Sequence, residues 1–286
     1  MESSSSNTYI FDPESAAELA RLINQDRVIT QAMSGPLSGI PENASLRTIL
    51  DLGCGPGSWV LDVAFALPDT EVEGVDSSQR MVEYANARAR SQLLRNAFFG
   101  VMDITQPFDR ADSSIDLVNA RFLVGVLKRD GWPFFLHECH RVLQPGGLLR
   151  LTEAAEFGQT TSEALNQLLV VTRHALYQLG YGCTSEQGLH VLPMLLSFYK
   201  QHCYQHVQVK AAAVHYSSDT EAWTDMFHNL DIINQQMKPL LVNKLELINE
   251  QLFDTLYQEA VIAMQRTSFC GIVHITTIIG QKPENE

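Results

Sequence analysis

Apolar residues along the chain fall into two rhythms, short near-continuous runs and longer segments where they return every three or four positions, which predict strands alternating with helices. After a polar, serine-rich leader, Asp12 caps and Pro13 opens a predicted helix whose stripe of Leu19, Leu22, Ile23, Ile29 and Met33 is ended by Gly35 and Pro36. Arg21 and Arg27 fall on its polar side and read as solvated charges. Strands are then expected at 48–52, 72–75, 97–102, 115–119 and 148–152, with helices at 59–67, 77–90 and 132–143. This alternation builds a mostly parallel sheet. Further helices follow at 162–180, 186–201, 221–238 and 242–266, and further strands at 207–216 and 271–280.

The stretch 48–57, TILDLGCGPG, organises the rest. Ile49, Leu50 and Leu52 make a buried strand, and Gly53, Gly55 and Gly57 make a turn without side chains, so that backbone approaches a ligand closely and the next helix aims its N-terminal amides at it. Asp51 sits two residues before the first glycine. A carboxylate there repels a pyrophosphate and suits an ammonium or sulfonium group. The second strand ends in Asp76, nineteen residues after Gly57, where a βαβ unit places a ribose-binding acid.

The pattern Asp51-x-Gly53-x-Gly55-x-Gly57 resembles the first motif of the class I S-adenosylmethionine-dependent methyltransferases, in their small-molecule, secondary-metabolite branch. Asp76, Asp103-Ile104 after the third strand, the strand 115–119 and the turn Leu143-Gln144-Pro145-Gly146-Gly147 extend the resemblance in order. It implies an α/β, Rossmann-like seven-stranded sheet with an antiparallel last strand. Residues 1–40 would form an N-terminal helical lid, 41–156 the cofactor-binding core, and 157–286 the rest of the sheet with helical substrate-cap insertions. It also implies S-adenosyl-L-methionine as cofactor and S-adenosyl-L-homocysteine as product, contacted by Asp51, Gly53, Gly55, Gly57, Asp76, Ser77, Met81, Asp103, Ile104, Asn119, Ala120 and Arg121, with Tyr9 at the methionine end. Glu153 and His190 are the candidates for a catalytic base or for stabilising a cation. Tyr177, Tyr181, Phe198, Tyr199 and Trp223 are candidates to shape a substrate cavity. The expected reaction is methyl transfer to a small, bulky and partly apolar acceptor through O, N or C. The alternatives are a cofactor-binding cyclase or rearrangement enzyme and a nicotinamide-dependent oxidoreductase, which would want GxGxxG where this chain has Ser58 and Trp59 after Gly57.

Composition narrows the partners. A net charge of −13 works against phosphate backbones and anionic membrane surfaces, so neither a nucleic acid nor a membrane is expected. No apolar run approaches 18 residues and the leader lacks a signal pattern, which points to the cytoplasm. The five cysteines lack CxxC spacing and read as buried thiols. His137 and His140 lie three apart without a third ligand, so no metal site is expected. The amphipathic N-terminal and cap helices point to a homodimer or larger homo-oligomer.

Overall fold

The computed structural model of the chain describes residues 9–154, 156–182 and 191–284. Five parallel strands run across the sheet in the order β3 (Ala97–Val101), β2 (Glu71–Asp76), β1 (Thr48–Leu52), β4 (Ile115–Arg121) and β5 (Leu143–Ala154). The last strand, β8 (Gly271–Gln281), lies antiparallel between β5 and β7 (Gln205–His215). Where seven strands are expected, the described residues hold eight: Gln159–Thr160 (β6) pairs with Ile272 and Gly271 of β8. Two residues are too few for an alternating pattern to show.

The helices are α1 (Ala16–Ala32), α2 (Ser58–Ala66), α3 (Gln79–Ser91), α4 (Trp132–Val142), α5 (Glu163–Gln178), α6 (Val191–Gln201), α7 (Trp223–Lys238) and α8 (Glu250–Met264). Side chains of Ser15, Ser78, Ser162 and Asn249 accept first-turn N–H groups and so start α1, α3, α5 and α8. The predicted cap at Asp12 is corrected to Ser15: the Asp12 carboxylate accepts the N–H of Glu14 at 3.0 Å, which leaves residues 9–15 as an irregular strap ahead of the helix. The predicted helix over 242–266 begins only at Glu250, because Pro239–Lys244 winds into a wider turn that continues from α7. The start predicted at 186 lies outside the described residues.

Three apolar layers follow. Helices α4 and α6 bury Trp132, Phe135, Leu195 and Tyr199 on one face of the sheet, and α2 buries Trp59, Val60 and Val63 on the other. Helices α5, α7 and α8, together with α1 and the first part of β8, make a core of their own from Leu165, Leu168, Leu230, Leu241, Phe253 and Ile275. Between the two assemblies lie the ends of β1 and β4, where strand order reverses and open α/β sheets leave a crevice.

Gly57 and Gly55 both have positive φ, +77° and +53°, but face different surroundings. A Cβ on Gly57 would lie 2.5 Å from the Phe99 ring and 2.8 Å from Ala85, so this glycine is required for α2 to pack against α3 and β3. On Gly55 it would meet only Leu22, at 3.6 Å. Gly57→Ala is therefore expected to cost about 2 kcal/mol or more in stability, through strain and overpacking, and Gly55→Ala less. Chemical denaturation of both variants checks the order.

Candidate active site

A cavity of about 780 Å3 occupies this crevice. At one end it is lined by Asp51, Gly53, Gly55, Asp76, Ser77, Met81, Asp103 and Ile104, brought together by the ends of β1, β2 and β3. Asp76 is the hub of this end. Its Oδ2 accepts the N–H of Gly55 at 2.9 Å and its Oδ1 that of Ser78 at 2.9 Å, so the carboxylate ties the glycine loop to the start of α3 while each oxygen keeps lone-pair capacity for a ligand. Burial pushes its carboxyl above the usual range, against those backbone donors.

Asp51 is 3% exposed and accepts from Asn119 Nδ2 at 2.7 Å. Asn119 in turn accepts from the buried Arg150 at 2.6 Å, so strand β4 sets the orientation of a carboxylate on β1. Burial pushes Asp51 up to about 6, opposed by the charge of Arg121 and by the Asn119 bond. A buried anion in this state gains most from a cationic group entering the cavity.

The N-terminal strap and α1 form the roof. The Ile10 N–H donates to Gly125 at 3.3 Å, the Ser78 hydroxyl donates to the Glu14 carboxylate at 3.0 Å, and Arg80 donates to the Glu14 carbonyl, so the strap is fastened on both sides of the crevice. Arg121, the last residue of β4, pairs with Asp26 of α1 and stacks on Trp59. The expectation of a solvated Arg21 is corrected: it is 4% exposed and lines the cavity. It donates to both oxygens of the buried Glu18 at 2.8 and 2.6 Å, to Asn229 Oδ1 at 2.8 Å and to the Tyr9 hydroxyl at 3.2 Å. Burial alone would raise the Glu18 carboxyl, but Arg21 and the donors from Tyr9 and Gln236 hold it below its ordinary range. The polar side of α1 faces α7 and not water, which helix periodicity does not distinguish. Arg27, by contrast, is exposed and pairs with Asp225 of α7 at 2.5 Å.

The inner end of the cavity is apolar, lined by Leu169 and Leu176 of α5, Met226, Leu230 and Met237 of α7, and Val273 and Ile275 of β8. Thr172 and Asn229 are the polar residues of α5 and α7 that join them.

Other expected residues are placed apart from the lining. Gly57, Asn119 and Ala120 are buried behind it, Asn119 acting through Asp51. Asp103 lines the cavity, with Oδ1 turned to the N–H and hydroxyl of Thr105. Tyr9 lines it too, its hydroxyl donating to Glu18 at 2.5 Å. Glu153 is 2% exposed and absent from the wall: it accepts the Leu123 N–H at 2.7 Å and supports the turn Leu123–Gly125 from behind. His190 lies outside the described residues. Tyr177, Tyr181, Phe198, Tyr199 and Trp223 do not line the cavity; Tyr199, for instance, donates its hydroxyl to the Leu149 carbonyl at 3.0 Å. The thiols of Cys54 and Cys139 are buried, whereas Cys203 and Cys270 are exposed, contrary to the expectation for them. The residues missed were Arg21, Thr172 and Asn229, each a polar position within a helical pattern; an arginine and a glutamate three apart on α1 were the available signal for the first.

Residues 49–147 match a family model described as a methyltransferase domain. The demethylmenaquinone methyltransferase of Lactococcus lactis is 32% identical over 123 residues, covering 42% of this chain and 44% of that protein. The methyltransferase pytC of Aspergillus terreus is 30% identical over 144 residues, covering 50% and 41%. The chain thus spans less than half the length of these curated relatives. Among solved structures, phosphoethanolamine N-methyltransferase 2 of Haemonchus contortus, bound to phosphomonomethylethanolamine and S-adenosylhomocysteine, superposes with a TM-score of 0.53 at 16% identity, over 92% of this chain and 57% of that one. No helix among the described residues is long and apolar enough to cross a membrane.

Burial raises the Glu153 carboxyl from 4.5 to about 8, against the backbone donors of Leu123 and Val124. The folded chain therefore keeps this proton to higher pH than the unfolded chain does. The resulting stability is fully present below pH 4.5 and is lost as pH rises through about 8. Glu153→Gln, which cannot titrate, should flatten that part of the profile of denaturation midpoint against pH.

Proposed function

We propose, from the premise that residues 49–147 form a methyltransferase domain, that the chain transfers a methyl group from S-adenosylmethionine to a small, largely apolar organic acceptor. The observation that carries this reading is the cavity with two unlike ends, one polar and acidic around Asp51 and Asp76, the other apolar between α5, α7 and β8. The residues fit the cofactor. A Cβ at Gly55 would meet only Leu22 of the cavity wall, at 3.6 Å, the Asp76 oxygens can take further hydrogen bonds from vicinal hydroxyls, and Asp51 is a buried anion suited to a positive group. Met81 and Ile104 supply apolar surface for a flat ring.

When bound, the cofactor supplies an activated methyl carbon on a sulfonium centre. The chain's own task is alignment in a dry site. Asp51 and Asp76 hold the donor, the apolar residues of α5 and α7 orient the acceptor, and the strap with α1 keeps water out. Glu153, turned to backbone, has no part in proton removal from the acceptor in this reading.

Titration calorimetry with S-adenosylhomocysteine tests the proposal directly: one-site saturable binding is expected, and absence of binding overturns it. Asp76→Ala should weaken that binding by about 2 to 4 kcal/mol, roughly 30- to 1000-fold, through loss of charge-assisted hydrogen bonds and a loosened glycine loop. Its circular dichroism should match the parent's.

The roof generates a second expectation. In this reading the strap 9–15, fastened to Gly125, Ser78 and Arg80, opens to admit ligand and closes over it. Amide exchange across residues 9–33 should slow when S-adenosylhomocysteine is added. Exchange indifferent to ligand would make this segment a packing element only.

A further inference from the structure

The inner end of the cavity presents neutral surroundings to whatever enters it. The arginines that reach the wall are matched, Arg21 by Glu18 and Arg121 by Asp26. An ionic acceptor would have to displace one of these pairs, whereas a neutral one need not.

Asn229 is the exception to the apolar lining of α7. It occupies one face with Met226, Leu230, Ile233 and Met237 and is 7% exposed. Its Oδ1 accepts from Arg21 Nη1 at 2.8 Å, which settles the orientation of the amide. With the oxygen committed, Nδ2 is left as a donor that reaches no acceptor among the described residues. Arg21 cannot swing away freely, because its other nitrogens are engaged by Glu18 and Tyr9. The result is a fixed N–H donor in an apolar enclosure, a group that a ligand oxygen would satisfy.

A second group on another helix points the same way. Thr172 of α5 lines the cavity between Leu169 and Leu176, yet its hydroxyl is buried without a hydrogen-bond partner. A helical threonine has two accessible χ1 wells, and rotation between them exchanges hydroxyl and methyl. No hydrogen bond holds the present rotamer.

Building on the methyltransferase reading, we propose that Asn229, positioned by Arg21, is the residue that determines acceptor specificity. Its Nδ2 donates to a neutral oxygen, such as a carbonyl, on an otherwise apolar molecule.

The matched pair α-tetralone and tetralin, which differ by one carbonyl oxygen, provides the test. Affinities are measured by calorimetry or fluorescence on the full chain, with and without S-adenosylhomocysteine. Asn229→Asp keeps an oxygen for Arg21 but replaces the donor with an acceptor, and Asn229→Leu removes both. In each variant the affinity of α-tetralone relative to tetralin should fall about fivefold or more, while tetralin itself binds within about twofold of its parent value. With Asn229→Asp, the alcohol α-tetralol, which can donate to the new carboxylate, should hold or gain affinity, a reversal that a purely structural role would not produce. A tetralone-to-tetralin ratio unchanged in both variants overturns the proposal. Failure to bind S-adenosylhomocysteine would instead overturn the methyltransferase reading, and the probe comparison would still be readable on the chain alone.

Discussion

The carboxylate of Asp76 is the constraint on which the polar end of the cavity depends. By accepting N–H groups from Gly55 and Ser78 it ties together two loops that belong to different strand-helix units, and so fixes their spacing at this end of the crevice. The glycines divide the labour around it. Gly57 lets α2 pack against Phe99 and Ala85, and Gly55 leaves space on the cavity side. One motif therefore meets close packing at its end and a roomier cavity wall at its centre.

The roof is held by charge pairs in low-dielectric surroundings. Removing Glu18 and Arg21 from water is costly, and the arrangement is stable because all five N–H groups of the guanidinium find an oxygen, the fifth on Gln25 at 2.5 Å. Such a network defines geometry better than apolar contact does, since sliding α1 along α7 by one residue would break several bonds at once. Apolar side chains could re-pack after the same slip. The strap, by comparison, is fastened at its two edges through Ile10 and Glu14, and at its start through the Tyr9 hydroxyl, which donates to Glu18 and accepts from Arg21.

Much of the sheet was legible in the sequence because β1, β2, β4 and β5 are buried runs closed by strong punctuation: three glycines, Asp76, Asn119-Ala120-Arg121, and Glu153. The gathering of Asp51 and Asp76 at one end of the cavity was legible for the same reason, since strand ends in this architecture converge. What escaped depended on tertiary partners. Asp12 and Ser15 are equally good caps by residue type, and the direction of the incoming chain decides between them. Glu153 follows Thr152 at a strand end, but its side chain turns back to the Leu123 N–H, an acceptor-donor match that no periodicity encodes. Arg21 and Glu18 look like an exposed pair until α7 is laid over them.

The division of the cavity between early and late parts of the chain has a bearing on how such a protein changes over time. The residues that β1, β2 and β3 bring to the polar end lie between Asp51 and Ile104, inside the segment 49–147 that matches the family model, whereas the apolar end draws on residues after Ala154. Substitutions in α5, α7 or β8 alter the second compartment without touching the hydrogen bonds that order the first. A change of shape at the apolar end is thereby mechanically independent of the loops that set the polar end.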